Sequence, residues 1–134
     1  MKSITRQKPL EEVKELLANF DRPFIIGCGT CTTMTRTGGI EQVVEMKDRL
    51  QQEGKLVTGW TVVPTTCDEM TEVAMKENTQ AIQISNCVIS MACSLGVHRM
   101  SLYINRPIIP AVDTLFIGVE DTPGFFREAC AQCG

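Results

Sequence analysis

The sequence predicts an α/β fold with three layers, in which a mostly parallel sheet carries helices on both faces. Its length of 134 residues suits one domain with one core, so residues 1–134 are taken as a single cysteine-rich unit. Apolar residues make up 43% of the chain, as in ordinary globular proteins. Segments of strand and helix character alternate along most of the chain, and this alternation is typical of parallel sheets.

The first half of the chain contains the clearest elements. Pro9 and the helical spacing of the apolar residues that follow predict a helix over about residues 9–20. The short apolar run 24–27 has the character of a buried strand. A second helix is expected over about residues 39–53, ended by Gly54.

The second half contains one ambiguous segment. Residues 68–84 fit a helix, although the alternation of residues 81–84 would also fit a strand. We prefer the helix because residues 87–92 form a better strand. The other expected elements are strands at 56–63, 107–110 and 114–119, a short helix at 96–103, and a tail, 124–134, that is mostly loop or one helical turn.

Charge and hydropathy exclude several classes of function. A formal net charge of −3 and the absence of a basic cluster argue against nucleic-acid binding. The apolar runs are far shorter than the roughly 20 residues of a membrane span. The first residues lack the apolar stretch of a secretory signal, so we expect a cytoplasmic protein. The sequence leaves open whether it forms a homo-oligomer.

Cysteine is the unusual component of this sequence. In a reducing compartment grouped cysteines more often bind metal or carry out redox chemistry than form disulfides. The odd number of cysteines also argues against complete disulfide pairing. The seven are Cys28, Cys31, Cys67, Cys87, Cys93, Cys130 and Cys133.

Three cysteines follow three predicted strands. Cys28, Cys67 and Cys93 each stand where a strand ends. The carboxyl ends of parallel strands share one edge of the sheet, where ligand crevices form, so we expect these thiols to come together there. Cys31 adds a fourth thiol in a C-x-x-C pair with Cys28. The sequence therefore predicts a metal site at the strand carboxyl ends.

Four thiolates suit an iron–sulfur cluster and also suit tetrahedral zinc. One close pair with two scattered partners favours the cluster, since structural zinc more often uses two C-x-x-C knuckles. A zinc-binding structural or interaction module is the first alternative. A dithiol oxidoreductase that uses Cys28 and Cys31 is the second, although a long Gly/Thr loop separates this pair from the next predicted helix.

The remaining candidates are weaker. Cys87 lies within a strand and fits a buried apolar role. Cys130 and Cys133 form a second C-x-x-C, which could join the first centre, complete a site with a partner chain, or have no role. His98, the single histidine, fits a helix surface. No nucleophile–base pair is evident, so catalysis by this chain alone is not expected.

Several sequence blocks resemble a known family. The segment 24–33, FIIGCGTCTT, followed by Thr37-Gly38-Gly39, is similar to the opening motif of the methylenetetrahydrofolate reductase C-terminal-type domain. Blocks at 67–69, 88–97, 110–118 and 128–134 occur in the same order, so the resemblance covers most of residues 24–134. Two features depart from the family: Ser94 replaces its usual glycine, and members continue past Gly134 with cysteines of a second metal site.

The resemblance implies an electron-relay or scaffolding subunit in the one-carbon metabolism of anaerobes. It implies a [4Fe-4S] cluster on Cys28, Cys31, Cys67 and Cys93. The partner would be a flavin-containing methylenetetrahydrofolate reductase-like subunit. Such domains also accompany corrinoid-dependent methyltransferases, so a methyltransferase subunit is the other partner expected.

Overall fold

A parallel four-stranded sheet forms the centre of the computed structural model, which describes residues 1–130. The strands are β1 (Lys2–Gln7), β2 (Pro23–Cys28), β3 (Gly59–Val63), β4 (Cys87–Met91), β5 (Ile108–Pro110), β6 (Val112–Thr122) and β7 (Phe125–Cys130). The helices are α1 (Leu10–Leu16), α2 (Cys31–Met34), α3 (Ile40–Gln52), α4 (Met70–Glu77), α5 (Thr79–Ile84) and α6 (Ser94–Ser101).

The central sheet has the order β3-β2-β4-β5 and is covered on both faces. Side chains that alternate along β2 enter two separate apolar clusters, as period-two geometry requires. Ile25 packs with α1 and α3 on one face, whereas Phe24 and Ile26 pack with α4 and α6 on the other. The predicted α/β class, with a parallel sheet between two helical layers, is confirmed for this sheet.

The neighbouring strands β2 and β4 form a topological switch point. The chain leaves β2 toward β3 on one side and leaves β4 toward β5 on the other. Helix α3, the longer of the two helices between β2 and β3, packs on one face, while α6, after β4, packs on the opposite face. Connections that diverge in this way leave a crevice between the two strand ends, and such crevices are where α/β folds bind ligands.

A second, antiparallel sheet has the order β1-β6-β7, and the sequence did not predict it as a separate sheet. The prediction that the tail 124–134 is loop or helical turn was wrong for its described part, since β7 covers Phe125–Cys130. β7 is mostly exposed and β1 contains one large apolar residue, Ile4, so neither shows a clear hydrophobic alternation. Both strands are held by pairing with β6.

Other differences concern the boundaries of helices. The segment 68–84 is helical, as preferred, but it divides into α4 and α5 at Asn78, whose side chain donates a 2.8 Å hydrogen bond to Ala74 O. The Thr-rich segment after Cys28 contains the short helix α2 rather than loop alone. Of the helices within residues 1–130, none combines the length and apolar character that crossing a membrane requires.

Candidate metal centre

All four cysteines of the predicted site lie at the carboxyl edge of the parallel sheet. Cys28 is the last residue of β2, and Cys31 is the first residue of α2. Cys67 lies in the turn after β3, and Cys93 immediately precedes α6. Cys28 and Cys93 are buried, with 3% and 4% of their surface exposed, whereas Cys31 is half-buried and Cys67 is exposed. Cys28 and Cys93 thus flank the crevice between β2 and β4.

The thiol of Cys67 is within electrostatic reach of the other three thiols. Although Cys67 as a residue is exposed, its thiol is partly shielded from water, and this desolvation is the largest cause that raises the pKa of Cys67; the charge of Cys93 is the next. Cys28 and Cys31 raise this pKa further through their own charges. Four thiolates gathered without a cation would repel one another, so this arrangement favours a positively charged group among them.

The spacing of these side chains bears on which metal group would fit. Within residues 1–130, no three cysteine, histidine, aspartate or glutamate side chains converge tightly enough to hold a single ion. Tetrahedral zinc with Zn–S bonds of about 2.3 Å needs its sulfurs about 4 Å apart. A cubane cluster binds each thiolate through a different iron, so its ligands are spread over the corners of a larger body.

Hydrogen bonds join the loops that carry three of the cysteines. The amide of Gly29 donates to Val63 O at 2.8 Å. The hydroxyl of Thr30 donates to Pro64 O at 2.6 Å and lies 2.8 Å from the hydroxyl oxygen of Thr65. These bonds fix the Cys28–Cys31 loop against the turn that contains Cys67.

The loop after β2 also folds back over the end of β4. The hydroxyls of Thr32 and Thr33 both donate to the carbonyl oxygen of Cys28, at 3.2 and 2.7 Å. Gly38 then passes so close to β4 that a Cβ atom there would lie 1.8 Å from Met91 O. Glycine is therefore required at position 38, because any side chain would push the loop away from the crevice.

The second sheet fixes the turn that carries Cys93. The amide of Ser94, the first residue of α6, donates a 2.9 Å hydrogen bond to the hydroxyl oxygen of Thr114 in β6. The first backbone N–H groups of a helix have no acceptor within it, and here a residue of the second sheet supplies one. The role of Thr114 was missed in the sequence, where no local pattern links it to a residue so distant along the chain.

Thr66, next to Cys67, carries a buried hydroxyl without a hydrogen-bond partner among the described residues. Only 1% of Thr66 is exposed, and its side chain lies against Gly96 in the first turn of α6. A Cβ atom at Gly96 would lie 2.3 Å from Thr66 Oγ1. Thr66 thus packs the turn that carries Cys67 against the first turn of α6, which follows Cys93.

Cys130 reaches the same region from the second sheet. It lines a cavity of about 490 Å³ that is also lined by Ala92 and Ser94, the two neighbours of Cys93. Cys130 itself is exposed, at the end of β7. Cys133, its partner in the second C-x-x-C, lies outside the described residues.

Two other candidates lie away from the centre or on the surface. Cys87 is the first residue of β4 and therefore stands at the opposite, amino edge of the sheet. It is fully buried in the core, and burial raises the pKa of its thiol to about 11. His98 is exposed on α6. The buried strand position of Cys87 and the helix-surface position of His98 are as the sequence predicted.

A scan against protein-family models finds no match for this chain, and a search of the curated proteins finds none either.

Proposed function

We propose that this protein is an iron–sulfur accessory or electron-transfer subunit that holds a [4Fe-4S] cluster on Cys28, Cys31, Cys67 and Cys93. The proposal is carried by one observation: the turns after β2, β3 and β4 place Cys28, Cys31, Cys67 and Cys93 at the same carboxyl edge of the parallel sheet. The switch-point crevice between β2 and β4 supports it.

Electron transfer is the chemistry that such a cluster would supply when bound. The chain would determine where the four cysteine ligands lie and how far solvent reaches each of them. Cys28 and Cys93 are buried within the sheet, whereas Cys67 is exposed. The Cys67 side would therefore be the face through which electrons enter or leave.

The proposed partner and pathway rest on the sequence blocks described above. By their resemblance to the methylenetetrahydrofolate reductase C-terminal-type domain, the partner is a flavin-containing reductase-like subunit or a methyltransferase subunit in one-carbon metabolism. The unpaired state of Cys28, Cys31, Cys67 and Cys93 supports the reducing environment of the cytoplasm as its location.

The dithiol function of Cys28 and Cys31 has less support. A redox-active C-x-x-C normally presents its first cysteine to solvent at the start of a helix. Here Cys28 is buried at the end of β2, and only Cys31 belongs to a helix. Cys67 also interacts electrostatically with both cysteines of this pair and with Cys93.

Anaerobic purification followed by iron, sulfide and zinc analysis tests the proposal. We expect about four irons and four sulfides per chain, with the brown colour and EPR signal of a cubane. Cys67→Ser should lose most of the iron, because it removes a ligand from an exposed turn without disturbing the core. Cys87→Ala, which removes a thiol from the opposite edge, should retain it. Stoichiometric zinc with no iron in the anaerobic protein would overturn the proposal.

A further inference from the structure

The cavity of about 490 Å³ is lined from both sheets of the molecule. Ala92, just beyond β4, and Pro110, the last residue of β5, reach it from the carboxyl edge of the parallel sheet, where α/β folds bind ligands. The antiparallel sheet contributes five consecutive residues of β6, Val112–Phe116, and Glu128 of β7. Small-molecule sites have volumes of about 300–1,000 Å³, so this cavity is large enough to hold a ligand.

Two β-bulges shape the wall that the antiparallel sheet contributes. In the pairing of β6 with β1, Leu115 is an extra residue with no residue opposite it in β1. Side chains of a regular strand alternate between its two faces, whereas a bulge re-aims them. The bulge explains how Thr114, Leu115 and Phe116 all line one cavity. A second bulge, at Ala129 in β7, directly follows Glu128. Such bulges are frequent beside binding and active sites.

The cavity has an apolar interior and a charged mouth. Ala92 and Val112 are buried, with 1% and 5% of their surface exposed, whereas Glu128 is exposed. Phe116 and Val97, which add further apolar surface, are half-buried. A ligand that matches both parts has an apolar body, bound inside, and a polar group that lies at the mouth.

The charge left without a partner at this cavity is negative. Lys8 donates hydrogen bonds to Asp113 and to Glu12, so its ammonium is already paired. The carboxylate of Asp113 is in turn neutralised by Lys8 and by Arg6. Glu128 forms no ion pair within residues 1–130. Its carboxylate is therefore the charge that a ligand in the cavity would neutralise.

We propose that this cavity binds a small organic cation, an amine attached to an apolar body such as an aromatic ring, with Glu128 as its counter-ion. The apolar body would pack against Phe116 and Val97, and the ammonium group would face the carboxylate of Glu128. Binding of this kind requires no metal group, so the inference is independent of the proposed function.

An anionic ligand fits the cavity less well. Its charge would meet the like charge of Glu128, which no cation of residues 1–130 neutralises. The amino end of α6 also reaches the cavity and would favour an anion, but its first amide, that of Ser94, already donates to the hydroxyl of Thr114. The charge balance therefore selects a cation.

The test is a titration of the full chain with three probes of similar shape and different charge. Phenethylamine is a cation at neutral pH, 2-phenylethanol is uncharged and phenylacetate is an anion. Saturation-transfer NMR gives the dissociation constant of each probe. We expect phenethylamine to bind about tenfold more tightly than 2-phenylethanol, as a charge-assisted contact would give, and phenylacetate to bind most weakly.

Three variants locate the binding. Glu128→Gln keeps the shape of the side chain and should abolish the preference for phenethylamine while leaving the affinity for 2-phenylethanol unchanged. Glu15→Gln is the matched control, because Glu15 is an exposed glutamate of α1 that does not line the cavity. Val97→Phe fills part of the cavity and should weaken the binding of phenethylamine and 2-phenylethanol alike.

A measurement on the wild-type protein covers the case in which Val97→Phe fails to fold. Nuclear Overhauser contacts should join the ring protons of phenethylamine to the methyl groups of Val97 and Val112. Their absence at saturating probe would overturn the inference, as would a failure of all three probes to bind. A preference for phenethylamine that survives in Glu128→Gln, or tighter binding of phenylacetate, would overturn it too. None of these results changes the iron and sulfide content, which decides the proposed function separately.

Discussion

The hydroxyl of Thr30 donates a 2.6 Å hydrogen bond to the carbonyl oxygen of Pro64. This contact joins the loop that follows β2 to the loop that follows β3. The strand pairing between β2 and β3 ends at Cys28 and Val63. The distance between the Cys28–Cys31 pair and Cys67 is set by this contact and by the Gly29–Val63 bond beside it.

Thr30→Val should loosen the site more than it weakens the fold. The variant loses the bonds to Pro64 and Thr65, which together contribute about 1–2 kcal/mol to stability. We expect a lower affinity for iron, measured as faster loss of the cluster to a chelator. Thr79→Val is the control, since it removes hydrogen bonds to Met75 and Lys76 in the α4–α5 region. Equal rates of cluster loss in the two variants would contradict this role for Thr30.

Gly38→Ala should be strongly destabilising. The added methyl group would lie 1.8 Å from Met91 O, and this backbone atom of β4 cannot move aside as the end of a side chain could. We expect a loss of about 3 kcal/mol in the free energy of unfolding, as for severe overpacking. Gly54→Ala is the comparison, because Gly54 has φ of +84° but open space around it, so only the left-handed penalty of about 1–2 kcal/mol applies. Urea denaturation of both variants measures the difference, and equal losses would contradict the close packing of Gly38.

Asp113 should make the free energy of unfolding depend on pH in the acidic range. Its carboxylate accepts a 2.5 Å hydrogen bond from Lys8 and lies 3.5 Å from a guanidinium nitrogen of Arg6. The bond from Lys8 is the main cause that lowers the pKa of Asp113. A lowered pKa in the folded state means that the stabilisation is present above the ordinary value of about 4 and is lost as the pH falls through the folded value.

Asp113→Asn should therefore be less stable than the wild type at pH 7 and should lose less stability on acidification. Thermal unfolding between pH 7 and pH 3 measures this. Asp48→Asn removes a carboxylate from an exposed ion pair with Lys47 and should follow the wild-type profile. Parallel curves for the wild type and Asp113→Asn would show that the Lys8 contact does not operate in solution.

Cys67 should react slowly for an exposed thiol in protein stripped of metal. Burial and the charges of the neighbouring cysteines raise its pKa, so less thiolate is present near pH 8 than for an ordinary cysteine. Alkylation by iodoacetamide, followed by mass spectrometry, should accelerate as the pH rises above 9. Cys93→Ala removes the charge that, after desolvation, contributes most to the raised pKa of Cys67, and should increase the rate at pH 8. No change in rate would mean that the two thiols are not close.

Hydrophobic patterning predicted the parallel sheet because its strands are buried on both faces. The run 24–27 and the run 87–92 correspond to β2 and β4, and Cys28 and Cys93 directly follow these two runs. The location of these thiols at one edge follows from the geometry of parallel strands alone. This part of the site was therefore accessible from the sequence.

The hydrogen bonds and packing contacts that support the site could not be predicted in the same way. Thr66 stands in a Pro-Thr-Thr-Cys segment after a predicted strand, a pattern that marks a loop near a ligand but gives no hydrogen-bond partners. Whether its hydroxyl is satisfied depends on the approach of Gly96 in α6, which is a tertiary relationship. The antiparallel sheet was missed for a related reason. β1 and β7 form strands because they pair with β6, and their own sequences show no clear strand pattern.

The pairing of β1 with β6 has a consequence for biosynthesis. Lys2 pairs with Gly118 and Gln7 with Val112, so β1 leaves the ribosome long before the strand with which it pairs. The parallel sheet, whose strands end by Pro110, can assemble before that partner emerges. Closing so long a loop is slow, and the nascent chain would expose β1 during translation.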